Sequence, residues 1–200
     1  FDRSFACIAG TENYFEPKYL TLDNKFYRPP KDCYYTDLIG DYAVKFVVEH
    51  FTEHADNPFF MYMPFTAPHF PLQAPEDRVA KYKGRFDHGY EVENKERYER
   101  MKELGVIKPQ WERSDKPERV PEWDSLPEDE KKRLARVMEV YAAMVEIMDE
   151  NVGKVVKALE DRNALDNTLI IFLSDNGACA EGGIPSKDEK VGVDWAYVQN

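Results

Sequence analysis

Near its carboxyl end the sequence runs "IIFLSDNGACAEGG" (residues 170–183), from apolar side chains straight into Asp175, Asn176 and Gly177. Asp175 offers charged oxygens and Asn176 a neutral carbonyl oxygen, hard donors that suit calcium or magnesium better than zinc or copper. Gly177 lets the backbone bend tightly beside an ion. The same three residues also favour an ordinary turn, and two side chains do not fill the six or more positions such a cation takes. His69 is the second candidate. It lies in "TAPHFPLQAP" (residues 66–75), where Pro68, Pro71 and Pro75 stiffen the backbone and withhold amide donors. An imidazole held on such a loop suits proton donation to a leaving group or hydrogen bonding to an anion; the plain alternative is a structural donor. The third candidate is "HFTEH", His50 to His54, which fits the H-x-x-E-H pattern of inverted zinc peptidases. Its alternative is two histidines in the last turns of a helix, where partly positive rings interact well with the helix dipole. The sequence contains no G-x-S-x-G elbow, no Walker loop and no G-x-G-x-x-G fingerprint, which removes several common enzyme classes.

These residues need elements to hold them. From Thr36 the apolar positions Leu38, Ile39, Tyr42, Ala43, Phe46, Val47 and Phe51 recur at three- and four-residue steps, predicting a helix with Thr36 as N-cap that Asn57-Pro58 stops. The run "PFFMYMPF" (58–65) is short, apolar and bounded by prolines, and reads as a buried strand. Residues 76–124 are crowded with charge and interrupted by Gly and Pro, as expected of an insertion with short helices. A long helix follows over "SLPEDEKKRLARVMEVYAAMVEIMDENVGKVVKALE", with Ser125 and Glu128 as a capping box and a core-facing stripe through Leu134, Val137, Met138, Tyr141, Met144, Val145, Met148, Val152, Val155, Val156 and Leu159. Residues 168–173 then read as a second buried strand. Residues 1–35 have no sustained period and read as irregular covering structure.

Strand, helical crossover, strand is a unit whose two strands lie parallel with a right-handed connection. Their carboxyl ends then share one sheet edge, where ligands of open parallel sheets bind. On that reading the His69 loop and the Asp175–Asn176 loop open onto a single crevice.

The totals bound the rest. Two hundred residues with 42% hydrophobic and 14% aromatic content suffice for one domain or part of a larger one. A net charge of −11 repels phosphate backbones and disfavours nucleic acid as a partner, while welcoming a hard cation. No apolar run approaches the roughly 20 residues of a membrane-spanning helix, so no membrane partner is expected. Cys7, Cys33 and Cys179 are widely spaced, without a C-x-x-C pair, and indicate neither a zinc cluster nor a disulfide framework. With Phe1 at its start and no charged-then-apolar leader, the sequence reads as an internal piece of a longer protein.

The stretches "PFFMYMPFTAPHFPLQAP", "EVYAAMVEIMDENVGKVV" and "DNTLIIFLSDNGACAEGG", with "FDRSFACIAG" and "YLTLDN" before them, resemble the type I sulfatases in order along nearly the whole chain. The resemblance implies an alkaline-phosphatase-like α/β fold, a three-layer α/β/α sandwich with a mostly parallel central sheet, of which residues 1–200 form the central part. It implies a calcium ion that holds the sulfate ester beside a formylglycine made from cysteine or serine. On the family pattern Asp175 and Asn176 fall on calcium ligands, and His69 on the sulfate-contacting histidine proposed to protonate the leaving alcohol. The implied partner is a sulfate-ester substrate, an aryl sulfate or sulfated carbohydrate, and the implied location is periplasmic or secreted.

The departures matter as much. None of the three cysteines stands in the C-x-P-x-R type motif that carries the modified residue. The remaining calcium ligands, the nucleophile and a lysine and histidine pair belong to family segments upstream, and a further lysine is expected after "WAYVQN". The chain alone is therefore expected to lack turnover. The alternatives are a phosphodiesterase or phosphonate hydrolase of the same superfamily, and a non-catalytic sulfatase-like protein that binds sulfated glycans.

Overall fold

The computed structural model describes residues 1–9, 13–118 and 120–177. Two helices organise these residues. α1 (Tyr35–Glu53) and α4 (Glu128–Glu160) pack along one another, with two short helices, α2 (Glu76–Val79) and α3 (Tyr90–Glu103), in the charged stretch between them. A small sheet of β1 (Phe5–Cys7), β2 (Leu20–Leu22) and β3 (Lys25–Phe26) caps the start of α1.

The sheet corrects the reading of residues 1–35 as irregular. β1 pairs antiparallel with β2, Phe5 opposite Leu22 and Cys7 opposite Leu20, and β2 pairs antiparallel with β3. Asp23 and Asn24 turn the β2–β3 hairpin with φ of 51° and 61°, left-handed values that Asp and Asn tolerate better than most residues. The Asp23 carboxylate then accepts from the Ser4 amide at 3.0 Å and from Arg3 Nε at 3.1 Å, tying the hairpin to β1. The readable signal was the pair Asp-Asn between two short apolar runs.

α1 buries Tyr35, Ile39, Ala43 and Val47, a four-residue repeat that forms one stripe. It begins one residue before Thr36, so Thr36 is a buried residue of its first turn and not the N-cap; Tyr34 holds that place without a side-chain cap. α4 likewise starts after Pro127. Ser125 lies in a preceding 3-10 turn, where its Oγ donates to the Glu122 carbonyl at 2.7 Å, and the expected capping box does not form. Pro127 fixes φ near −59° one residue ahead of the helix and sets its start.

The buried face of α4 shares Met144 and Leu159 with the expected stripe but is rotated from it elsewhere. It passes through Ala135, Glu139, Val140, Ala143, Met144, Ile147, Asn151 and Leu159, whereas Met138 and Tyr141 are exposed. Small residues won the contact because α1 comes close. A Cβ on Gly40 of α1 would collide with the side chain of Asn151, which is fully buried and donates from Nδ2 to Asp37 Oδ1 and to the Ile147 carbonyl, each at 2.8 Å. Helix propensity alone would have Gly40→Ala stabilise by about 1 kcal/mol. The collision reverses the sign, and a net loss of about 1–3 kcal/mol is expected from overpacking against a side chain that cannot move without breaking two hydrogen bonds. A urea midpoint at or above that of the parent protein would show that α1 and α4 do not cross this closely.

Residues 58–65 are extended but form no ladder, so the expected strand is half realised. Phe59 and Met61 pack on the cluster of Val47, Ala158 and Leu159, and Met63 and Phe65 pack on the main core. The alternate residues Phe60 and Tyr62 face solvent, at 79% and 69% exposure. This is the period of two of a strand with one face on the helix layer. Residues 168–173 depart further from expectation. They too are extended without a ladder, and Leu169, Ile171, Phe172 and Leu173 are exposed rather than buried. Apolar composition states that a segment gains by burial; which surface covers it, and whether its amides find a neighbouring strand, is settled by other parts of a fold. No described helix is long and apolar enough to cross a membrane.

Candidate functional site

His69 is mounted on the main core. Ala67, Gln73 and Ala74 of its loop are buried, and side-chain hydroxyls from outside the loop hold its carbonyls at residues 69 and 73. The His69 amide donates to the Thr66 carbonyl at 2.8 Å, closing the turn. The Tyr14 hydroxyl donates to the His69 carbonyl at 3.0 Å, and the Tyr34 hydroxyl donates to the Gln73 carbonyl at 2.8 Å. Tyr14 and Tyr34 stack with centroids 5.7 Å apart. Burial pushes the Tyr14 phenol up to about 12, and burial raises that of Tyr34 as well, so both remain neutral donors.

The imidazole itself points outward. Its Nδ1 lies 2.8 Å from the Phe70 carbonyl, and its ring packs on Phe70 with centroids 4.2 Å apart. A carbonyl only accepts, so Nδ1 carries the hydrogen and Nε2 is the nitrogen left for chemistry. In the neutral ring Nε2 accepts a proton. It donates one only in the doubly protonated ring. Rigid backbone, fixed tautomer and an exposed ring are what a group acting on an incoming ligand needs.

Asp175 and Asn176 lie on an exposed bend after the extended segment 168–173. Ser174 Oγ donates to the Asn176 carbonyl at 2.6 Å, and Asn176 Nδ2 donates to the Gly177 carbonyl at 2.7 Å. With its amide nitrogen engaged in this way, Asn176 keeps Oδ1 as the open acceptor. The donor set fits a hard cation: a carboxylate and an amide oxygen on adjacent residues, with no basic side chain paired to them among the described residues. Two such side chains would fill two positions of a shell that takes six or more.

The expected common crevice is not formed by the described residues. With residues 168–173 unpaired, no ladder joins them to residues 58–65, and no hydrogen bond or ring contact links the His69 loop to Asp175. Cys179 and the "CAEGG" that completes the motif lie outside the described residues.

The "HFTEH" segment is structural. His50 falls in the last turn of α1 and His54 at its C-cap. His50 Nε2 lies 2.9 Å from the Asn57 carbonyl, which makes that nitrogen a donor and takes it away from any metal, while the ring packs edge-on against Phe51. Sequence reading missed a different cluster, His88, Glu93 and Glu96 on and before α3. Arg85 already occupies it, pairing with Glu93 at 2.8 Å and reaching Glu96 at 3.5 Å. The guanidinium supplies the charge that a cation would bring.

The anchoring of the charged stretch 76–124 to the rest of the fold runs through α4. Glu139, 6% exposed, accepts from the Gly84 amide at 2.8 Å and from Arg136 at 3.0 Å. Arg78 of α2 pairs with Glu150, and Lys81 with Glu146 at 2.7 Å. Arg78 holds the Glu150 carboxyl below its ordinary range. Gly89, at φ 85°, lets the chain pass against the Trp123 ring, where a Cβ would collide.

Comparison with known proteins agrees with this architecture. The Sulfatase family model matches residues 1–197. The chain is 37% identical over 207 residues to an uncharacterized sulfatase of Schizosaccharomyces pombe, covering 92% of this chain and 35% of that protein. It is 33% identical over 193 residues to an arylsulfatase of Klebsiella aerogenes, covering 89% of this chain and 40% of that protein. The chain thus spans well under half the length of these curated relatives. Among solved structures it is similar to Ps i-CgsB in complex with k-i-k-neocarrahexaose, with a TM-score of 0.50 and 23% identity over 84% of this chain and 30% of that one. The chain belongs to the sulfatase family and has its alkaline-phosphatase-like α/β fold.

Proposed function

We propose that this chain is the central part of a sulfatase catalytic domain that hydrolyses sulfate esters, with His69 acting on the substrate and Asp175 and Asn176 binding calcium. The substrate class is an aryl sulfate or a sulfated carbohydrate. The observation that carries the reading is the His69 loop, whose carbonyls accept from two buried tyrosine hydroxyls and from the imidazole Nδ1, leaving Nε2 open.

Each residue has a defined task. His69 keeps Nδ1 on the Phe70 carbonyl and presents Nε2 to the sulfate ester. As the doubly protonated ring it hydrogen-bonds an ester oxygen and passes that proton to the departing alcohol; as the neutral ring it does neither. Asp175 and Asn176 bring an anionic and a neutral oxygen to the metal, and the bend closed by Ser174 keeps them adjacent. Calcium, when bound, neutralises charge on the sulfate oxygens and orients the ester. The formylglycine nucleophile and the other ligands come from family segments that precede this one, and the chain by itself is inactive.

The test uses the complete protein that carries this chain, assayed on an aryl sulfate before and after chelation. Activity lost with chelator and restored by calcium is the expected result. Hydrolysis that survives thorough chelation, or a preference for phosphodiesters over sulfate esters, would reject the assignment.

A further inference from the structure

We infer that Tyr14 is a positioning residue for His69, acting through the backbone of the histidine rather than on substrate; this rests on the role of His69 proposed above. Tyr14 is 2% exposed and uses three polar atoms in three directions. Its amide donates to Gln73 Oε1 at 2.9 Å, its carbonyl accepts from the Tyr35 amide at the start of α1 at 2.7 Å, and its hydroxyl donates to the His69 carbonyl at 3.0 Å. One residue therefore ties the first helix, the far end of the loop and the histidine's own peptide group.

The arrangement is more specific than core packing requires. Gln73 is 1% exposed, and its side chain and carbonyl are taken by Tyr14 and Tyr34 respectively. The loop is thus gripped at residues 69 and 73 by two stacked rings that emerge from the same side. With the His69 carbonyl fixed by Tyr14, its amide fixed by Thr66 and its Nδ1 fixed by Phe70, the direction of Nε2 follows from backbone geometry. Removing the phenol hydroxyl frees the one of these three that comes from outside the loop. The ring stays in place, and Nε2 loses direction.

The experiment is a double-mutant cycle in the complete protein, with kcat and KM measured on a sulfate ester of a poorly leaving alcohol. Tyr14→Phe is expected to lower kcat about 10-fold, the equivalent of one hydrogen bond, with KM and calcium affinity little changed. In the His69→Ala background the same substitution is expected to change kcat by no more than about twofold, because the group it positions is gone. A Tyr14→Phe loss of equal size in both backgrounds, or none in either, would overturn the inference while leaving the role of His69 intact. A His69→Ala protein with unchanged kcat would overturn the proposed function itself. Should Tyr14→Phe fail to fold, Gln73→Met, which removes the acceptor of the Tyr14 amide, is run through the same cycle with the same expectations.

Discussion

Asp175→Ala in the complete protein is expected to weaken calcium binding by at least the 10- to 100-fold, roughly, that loss of an outer-shell partner costs a metal site, and to reduce sulfate-ester hydrolysis at least in step. The reason lies in the donor count. Asp175 is the anionic member of the pair, and Asn176 offers a neutral oxygen whose nitrogen already donates to Gly177. Alanine leaves a neutral oxygen on an exposed bend, which holds a divalent ion poorly. Asp175→Asn tests charge separately from geometry. It retains an oxygen of the same reach and is expected to lose affinity but to recover activity at high calcium, where Asp175→Ala does not. Calorimetric titration of calcium reads the first effect, and aryl sulfate hydrolysis against calcium concentration reads the second. Wild-type affinity in Asp175→Ala would remove this residue from the metal site.

His69→Ala carries the second large effect, and its pattern is more informative than its size. A positioned general acid contributes on the order of 10²–10⁴-fold, and most where the leaving group needs the proton. Hydrolysis of alkyl or carbohydrate sulfates is therefore expected to fall by about that range, and hydrolysis of an activated aryl sulfate, whose phenolate leaves unaided, by much less. A plot of log kcat against the acidity of the leaving alcohol should be steeper for His69→Ala than for the parent. Parallel plots would mean that His69 binds the sulfate anion and transfers no proton. The fixed tautomer sharpens the expectation: with Nδ1 held on Phe70, His69→Gln can offer a hydrogen bond from a similar position but no transferable proton. It should retain substrate binding and still lose the poor-leaving-group substrates.

The two tests address parts of the site that stand on unequal supports. The His69 loop rests on residues remote in sequence, Tyr14 and Tyr34, and these in turn on α1 and α4. Asp175 and Asn176 rest on an extended segment that none of the described elements covers. Rigidity at His69 is thus a property of the described fold, whereas the Asp175–Asn176 bend is held by local bonds from Ser174 and Asn176 alone.

Much of this was legible in the residues. Four-residue apolar steps located α1 and α4, because a helix that buries one side must repeat near 3.6 residues. Charge and prolines marked residues 76–124 as short helices on a surface. Prolines around His69 announced a stiff loop. Ordered motifs along the chain pointed to the sulfatases, to which it belongs.

Other features required three dimensions. The buried face of α4 is turned toward Ala143 and Asn151 because Gly40 lets α1 approach there, and periodicity measures spacing without naming the neighbour. Both helix starts moved from the expected caps, since Tyr34 and Pro127 take the terminal positions and a Ser or Thr nearby finds other partners. Residues 168–173 carry the composition of a buried strand, yet burial belongs to a pair of surfaces and a ladder to a pair of strands, and one segment specifies neither. The residue types alone determined which side chains could do chemistry here, because oxygens that suit calcium and a nitrogen that moves protons are atomic properties of Asp, Asn and His. Only the tertiary structure decided that the hydroxyl of Tyr14, 55 residues away, meets the His69 carbonyl, because that bond joins segments distant in the chain, and that the ring turns Nδ1 onto the neighbouring Phe70 carbonyl and leaves Nε2 open.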